Sequence, residues 1–537
     1  MIGETSFPDR GYIDREDGKV LIKHALPGRK VEYRITKCRN GSAEGMVLRT
    51  VAPSPAETAA DPCPQSGTCG GCLYQTIPYE TQLKIKEKQL KTLLTEACGD
   101  SFVWEGLIPS PLSERYRVKM EYSFGDSFRD GPLALGMHRR GSHYDIVTAD
   151  GCRLVHKDFS RILKATLDFY TEQSVPYYHK TRHDGYLRHL VIRRGTRSGE
   201  ILVVLVTASG AWDHLLPAWK ERILSLETEG TIAGILHTRN DSFADAVIDQ
   251  GTTLLWGREY FEEILSGLRF RISPFSFFQN NSGGAELLYG KVGEYAGETE
   301  GRTVFDLYSG TGTIAQLVAR TARCAVGVEI VPEAVDAAWE NAARNGITNC
   351  RFIAGDVLKV LDSLTETPDV IILDPPREGV HPKALPKLLE YGVPRIVYVS
   401  CKPTSLAREI RTMEAGGYFL KRACGVDMFP STPNVETVCL LSKLSEAKNH
   451  ISVKVDMDEM DLTAAESKAT YQEIKEWVKE KYGFHVSHLN IAKTKRKCGI
   501  IERKNYNLPK NEDSRSPETP KEKEEAITEA FRHFQMI

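Results

Sequence analysis

Between residues 303 and 401 the chain repeats one short pattern, and that repeat limits the possible fold more than any other feature. Val304-Phe-Asp306, Val326-Gly-Val-Glu329, Cys350-Arg-Phe-Ile-Ala-Gly-Asp356, Val370-Ile-Ile-Leu-Asp374 and Arg395-Ile-Val-Tyr-Val-Ser-Cys401 are apolar runs, each reaching an acid or a thiol. Runs so short and so continuously apolar are the pattern of strands buried on both faces of a parallel sheet. Helical sequence such as Glu333 to Asn345 lies between them, so the region reads as a doubly wound α/β domain. Open sheets of this kind bind ligands outside the carboxyl ends of their strands, where these reactive side chains stand.

The turn after the first run, Tyr308-Ser-Gly310-Thr-Gly312-Thr313, lacks the third glycine of the dinucleotide fingerprint. Glu329 ends the second run near the spacing at which an acid meets a ribose. Cys401 has two readings. A free cysteine at a strand end is commonly a small core residue. Here Lys402-Pro403 ends the strand and turns the chain, which would present the thiol at the ligand-binding edge.

Before this domain the chain changes character twice. Lys19-Val-Leu-Ile-Lys-His, Lys30-Val-Glu-Tyr-Arg-Ile and Gly45-Met-Val-Leu-Arg-Thr-Val are short strands separated by turn signals, so residues 1–54 read as a small, locally basic β-barrel. A linker from Pro53 to Pro62 leads to Cys63-Pro-Gln-Ser-Gly-Thr-Cys69-Gly-Gly-Cys72, three thiols in a Gly-rich loop that can converge on one metal. A fourth ligand is required, and Cys98 and Cys152 are both candidates. Residues 55–265 read as one α+β domain: an amphipathic helix over Tyr79 to Cys98, then alternating strands. Arg115, Arg117, Arg139, Arg140, Arg188, Arg193 and Arg194 recur at the ends of those strands and suit phosphate contacts. Met1-Ile-Gly-Glu-Thr is no export signal and no apolar run reaches membrane-spanning length. The twelve cysteines are therefore expected reduced, in a cytoplasmic protein. The net charge of −2 leaves any polyanion surface to local patches.

Taken in order, Phe275 to Gln279, the Asp306 turn, Glu329, Asp374-Pro-Pro-Arg377, Val399-Ser-Cys401-Lys-Pro and Asp427-Met-Phe-Pro430-Ser-Thr-Pro-Asn434-Val-Glu436 resemble the RNA uracil-5-methyltransferase family over residues 10–443. The aromatic that follows Asp-Pro-Pro in amino-methyltransferases is replaced here by Arg377. The resemblance implies a Rossmann-like catalytic domain over 266–443 that uses S-adenosylmethionine, with Gln279, Tyr308, Glu329 and Asp374 around it. It implies Cys401 as nucleophile and Glu436 as base, and Asn434 stands where the family often has histidine. It makes 1–54 an RNA-binding TRAM domain and gives Cys63, Cys69, Cys72 and Cys152 a [4Fe-4S] cluster, zinc being the competing metal. The substrate it implies is 23S ribosomal RNA, with transfer RNA as the alternative and a monomer as the working form. A non-catalytic RNA-binding module with a vestigial methyltransferase fold is the competing class.

Such chemistry has a physical reason. Uracil C5 is a poor nucleophile, and a thiolate added at C6 makes it an enolate carbon. The resemblance stops near Lys443. Residues 444–537 read as a small helical extension in which Lys493, Lys495, Arg496 and Lys497 would face nucleic acid, with a disordered linker over Asn511 to Lys523.

Overall fold

The runs of residues 303–401 form the central strands of an eight-stranded sheet. In the computed structural model, which describes residues 1–16, 18–39, 42–364, 366–443, 471–498 and 520–534, its order is Cys350–Ala354, Cys324–Glu329, Thr303–Leu307, Val370–Leu373, Arg395–Ser400, Glu436–Lys443, Tyr418–Val426 and Val103–Ile108. The first five strands are mutually parallel, and Glu436–Lys443 then joins Arg395–Ser400 antiparallel. Both faces are apolar, with Val304, Val370, Ile372 and Val397 on one side and Phe305, Val328, Ile371 and Ile396 on the other. This is the burial that the uninterrupted apolar runs require.

The outermost strand crosses an expected boundary. Val103–Ile108 pairs parallel with Tyr418–Val426, and the helix Tyr79–Cys98 lies over it with Leu94 in the catalytic core. Residues 79–108 therefore belong to the catalytic sheet and not to a separate 55–265 domain. A short Val-Trp-Glu-Gly-Leu-Ile run carries no signal of which sheet it will extend.

The central sheet has seven strands in the order Thr252–Gly257, Thr231–Arg239, Glu200–Thr207, Leu187–Arg194, Lys119–Asp126, Leu133–His138 and Ile146–Thr148. One face carries the helices Lys157–Glu172 and Leu216–Leu224 around buried Trp219. From the other face Val191, Leu202, Val204 and Leu236 enter the same core as the catalytic domain. Ahead of it, five strands form a sheet in the order Thr5–Ser6, Arg10–Arg15, Gly18–Ile22, Ser42–Ala52, Lys30–Arg39. No hydrogen-bonded pairing joins its two edge strands among the described residues.

Contacts divide the chain into Met1–Glu446 and Ala447–Ile537. In the second unit the helices Tyr471–Tyr482, His488–Lys497 and Lys521–His533 enclose Ile474, Val478, Ile491, Ile527 and Phe531. Lys495 is buried and does not present its charge as the sequence suggested, whereas Lys497 is exposed and pairs with Glu524 at 2.7 Å. The side chains of Lys493 and Arg496, and residues 511–519 of the linker expected over Asn511 to Lys523, lie outside the described residues, while Lys521–Lys523 begin the helix Lys521–His533 instead of continuing that linker. Among the described residues no helix is long and apolar enough to cross a membrane.

Candidate functional site

The strand order brings the acids and the thiol to one edge. Ser400 pairs with Thr437, so Cys401 and Glu436 stand opposite each other one step beyond the last registered pair. Residues directly opposite on antiparallel strands have Cβ atoms roughly 5 Å apart. Asp374 follows Val370–Leu373 on the neighbouring parallel strand. Cys401, Glu436, Asp374, Gln279, Tyr308, Glu329, Asp356 and Arg377 all line one cavity of about 1510 Å³.

Its charges are unusual. Glu436 is 4% exposed, and burial with the nearby Asp374 pushes its carboxyl up to about 8, against a smaller opposing pull from Arg377. Burial pushes Asp374 and Asp306 up to about 7 each. Burial, Glu436 and Asp374 together push the Cys401 thiol up to about 11. The dominant charged neighbours are acids, and the cation that acts on Cys401 is Arg377. Two carboxyls displaced to about 7 and 8 beside a nucleophile are the hallmark of groups poised to trade protons near neutral pH.

The opposite half of the cavity is a cradle. Glu329 accepts from the Gly310 N–H at 2.9 Å and from Val331 N–H at 3.1 Å. Gly312 has φ +71°, and a Cβ there would lie 2.5 Å from Phe352, so only glycine allows this turn to pack. Tyr308 holds φ +68° without being glycine, a strained conformation common at ligand sites. Asp356 caps the helix Val357–Val360 through Leu358 N–H at 2.9 Å. Ser309 Oγ, on the cavity wall, is buried with no partner, which fits a polar ligand that supplies one.

Arginines from the central sheet hold the surrounding loops instead of facing outward. Arg193, fully buried, donates to Ser273 O at 2.7 Å, Pro274 O at 3.1 Å and Ser276 O at 2.8 Å, fixing the segment that carries Phe277 and Gln279. Arg188 likewise donates to Asn240 O, Ser242 O and Ala244 O. Both were expected as phosphate contacts, but burial commits them to backbone carbonyls. Sequence reading gave no role to Arg377 or to Phe277, which is 67% exposed on the cavity wall. The only signal was their place within two of the motifs.

Cys63, Cys69, Cys72 and Cys152 line a second, small cavity of about 40 Å³ with Met120, Met137 and Leu154, which also border the large one. Cys98 does not join them: its thiol donates to Leu94 O at 3.2 Å within its own helix. Burial and the neighbouring thiols push Cys72 up to about 12. Arg140 braces the loop by donating to the Cys69 and Cys72 carbonyls. No group of three or more His, Cys, Asp or Glu side chains among the described residues is arranged to hold a metal ion.

The chain is similar to known methyltransferases. A family model for a methyltransferase domain matches residues 298–526. An uncharacterized RNA methyltransferase of Clostridium tetani is 46% identical over 81% of this chain and 95% of its own length. One from Clostridium acetobutylicum is 45% identical over 82% and 97%. The crystal structure of Pyrococcus abyssi tRNA (uracil-54, C5)-methyltransferase with S-adenosyl-L-homocysteine is 27% identical, with a TM-score of 0.65 over 82% of this chain and 98% of that one.

Proposed function

The chain belongs to the RNA methyltransferases that use S-adenosylmethionine, and on that premise we propose that it forms 5-methyluridine in RNA. The observation that carries the reading is the pairing of Cys401 with buried Glu436 across adjacent strands, beside Asp374. The Cys401 thiolate bonds through Sγ to uracil C6, and the displaced C5–C6 electron pair makes C5 nucleophilic. S-adenosylmethionine supplies an electrophilic methyl group to C5. Glu436 then takes the C5 proton, the C5–C6 double bond re-forms, and Cys401 leaves as the thiolate. Gln279, Tyr308, Glu329 and Asp374 are the residues that hold the methyl donor, with the orphaned Ser309 oxygen on the same cavity wall.

We assign the thiols of Cys63, Cys69, Cys72 and Cys152 to a [4Fe-4S] cluster. What supports this assignment is that the four cysteines line one small cavity, the ligand number a cluster needs. The thiol site together with an N-terminal RNA-binding sheet of TRAM type supports 23S ribosomal RNA as substrate. The solved tRNA enzyme favours the second reading, a transfer RNA.

One experiment tests both. The protein is incubated with S-adenosylmethionine and transcripts of 23S rRNA or tRNA containing 5-fluorouridine, whose fluorine cannot leave as a proton. The expected result is a denaturation-resistant adduct with one transcript, lost in Cys401→Ala. No adduct with either RNA, or one undiminished in Cys401→Ala, rules the reaction out. Iron and sulfide contents of the purified protein, compared with Cys72→Ser, decide the cluster.

A further inference from the structure

Glu436 hangs from a loop that a distant lysine closes. Asp427 follows the strand Tyr418–Val426 and Glu436 opens the next one, so residues 427–435 form the turn that delivers the carboxyl. Lys86, from the helix Tyr79–Cys98, reaches into this turn with its side chain fully buried. Its ammonium donates to Asp427 Oδ1 at 2.7 Å, Phe429 O at 3.1 Å and Asn434 O at 3.1 Å. An ammonium has three N–H groups, and all three are used on this one loop. The last acceptor lies two residues from Glu436.

Other partners share the work. Gln82, one turn earlier on the same helix, accepts from Ser431 N–H at 2.8 Å. The N–H groups of Leu73 and Tyr74 donate to Ser431 O at 3.1 and 2.9 Å, and Tyr116 donates to Pro430 O at 2.9 Å. Ser431 is thereby held at φ +66°. Stability alone does not explain a buried charge here, because replacing a buried ion pair by apolar groups is often neutral or stabilising. Placement does explain it, since misplacing a reacting group by about 1 Å can cost roughly 100-fold in rate.

We propose that Lys86 is a positioning residue: closing the 427–435 loop on three acceptors, it holds Glu436 opposite Cys401 for removal of the C5 proton. The proposal rests on C5 methylation through Cys401, and its test separates the two. Full-length Lys86→Met is assayed in two reactions: adduct formation with 5-fluorouridine RNA, which needs Cys401 but no proton removal, and turnover on the same RNA containing uridine. The expected result is adduct formation within about 3-fold of wild type, turnover down roughly 100-fold, and a covalent protein–RNA species accumulating on ordinary RNA. Asp427→Asn, which keeps the side chain's shape, is expected to show the same split more weakly, and decides the matter if Lys86→Met does not fold. Equal loss in both reactions, or wild-type turnover, overturns the proposal. Absence of any adduct with the wild-type protein overturns instead the C5 reaction on which it rests.

Discussion

Glu436→Gln should make the protein more stable while disabling it. An ordinary glutamate ionises near 4.5, and this one is pushed up to about 8 by burial and by Asp374. Between those values the folded chain keeps a proton that the unfolded chain has lost. Wild-type stability therefore falls as pH rises through this window, by at most about 1.4 kcal/mol per unit. An amide of the same shape has no such loss. The variant should accordingly gain on the wild type from pH 4.5 upward, by about 3 kcal/mol at pH 7, with the gain levelling off above pH 8. Urea denaturation at pH 5, 6, 7 and 8 measures it. Turnover of the variant should drop by roughly 10²- to 10⁴-fold, the usual contribution of a general base. A stability gap that stays constant with pH, or a variant less stable at every pH, would refute the account of Glu436 as a buried base that ionises only near pH 8.

Other outcomes follow from the same geometry. Arg377 lowers both Cys401 and Glu436, so Arg377→Met should move the rising limb of the pH–rate profile, expected near pH 8, to higher pH. Glu329→Ala removes the acceptor of the Gly310 and Val331 N–H groups, and calorimetry should find S-adenosylhomocysteine bound about 10-fold more weakly, near 1.4 kcal/mol. Gly312→Ala drives a methyl group against Phe352 and strains a left-handed turn, and should cost about 2 kcal/mol or more in denaturation along with most of the cofactor affinity.

The catalytic half of this site was legible because its motifs resemble those of a known family, and because Tyr308, Glu329, Asp374, Cys401 and Glu436 fall at the ends of strands whose apolar runs are clear. Gln279, Tyr308, Glu329, Asp374, Cys401 and Glu436, read from separate motifs, line one cavity. What escaped depends on environment, not spacing. No run of letters told that Cys401 would face two carboxyls, or that Arg188 and Arg193 would be consumed by backbone carbonyls. Lys86 did leave a trace. It stands four residues before Leu90 and eight before Leu94, on the buried stripe of an otherwise charged helix. A lysine on the apolar side of a helix must find acceptors, though the sequence could not say that they lie more than three hundred residues away.

The strand Val103–Ile108 has a consequence for synthesis. Arg422, on the strand it pairs with, contacts Glu105 across 317 residues of chain. At 5–20 residues per second the ribosome needs roughly 16 to 60 s to cover that distance. Throughout that time the N-terminal strand and the apolar side of the helix before it have no catalytic sheet to join. Nascent chains arrested before residue 418 should therefore be strong chaperone clients, and a fragment beginning at residue 266 should expose the edge of Tyr418–Val426 and aggregate.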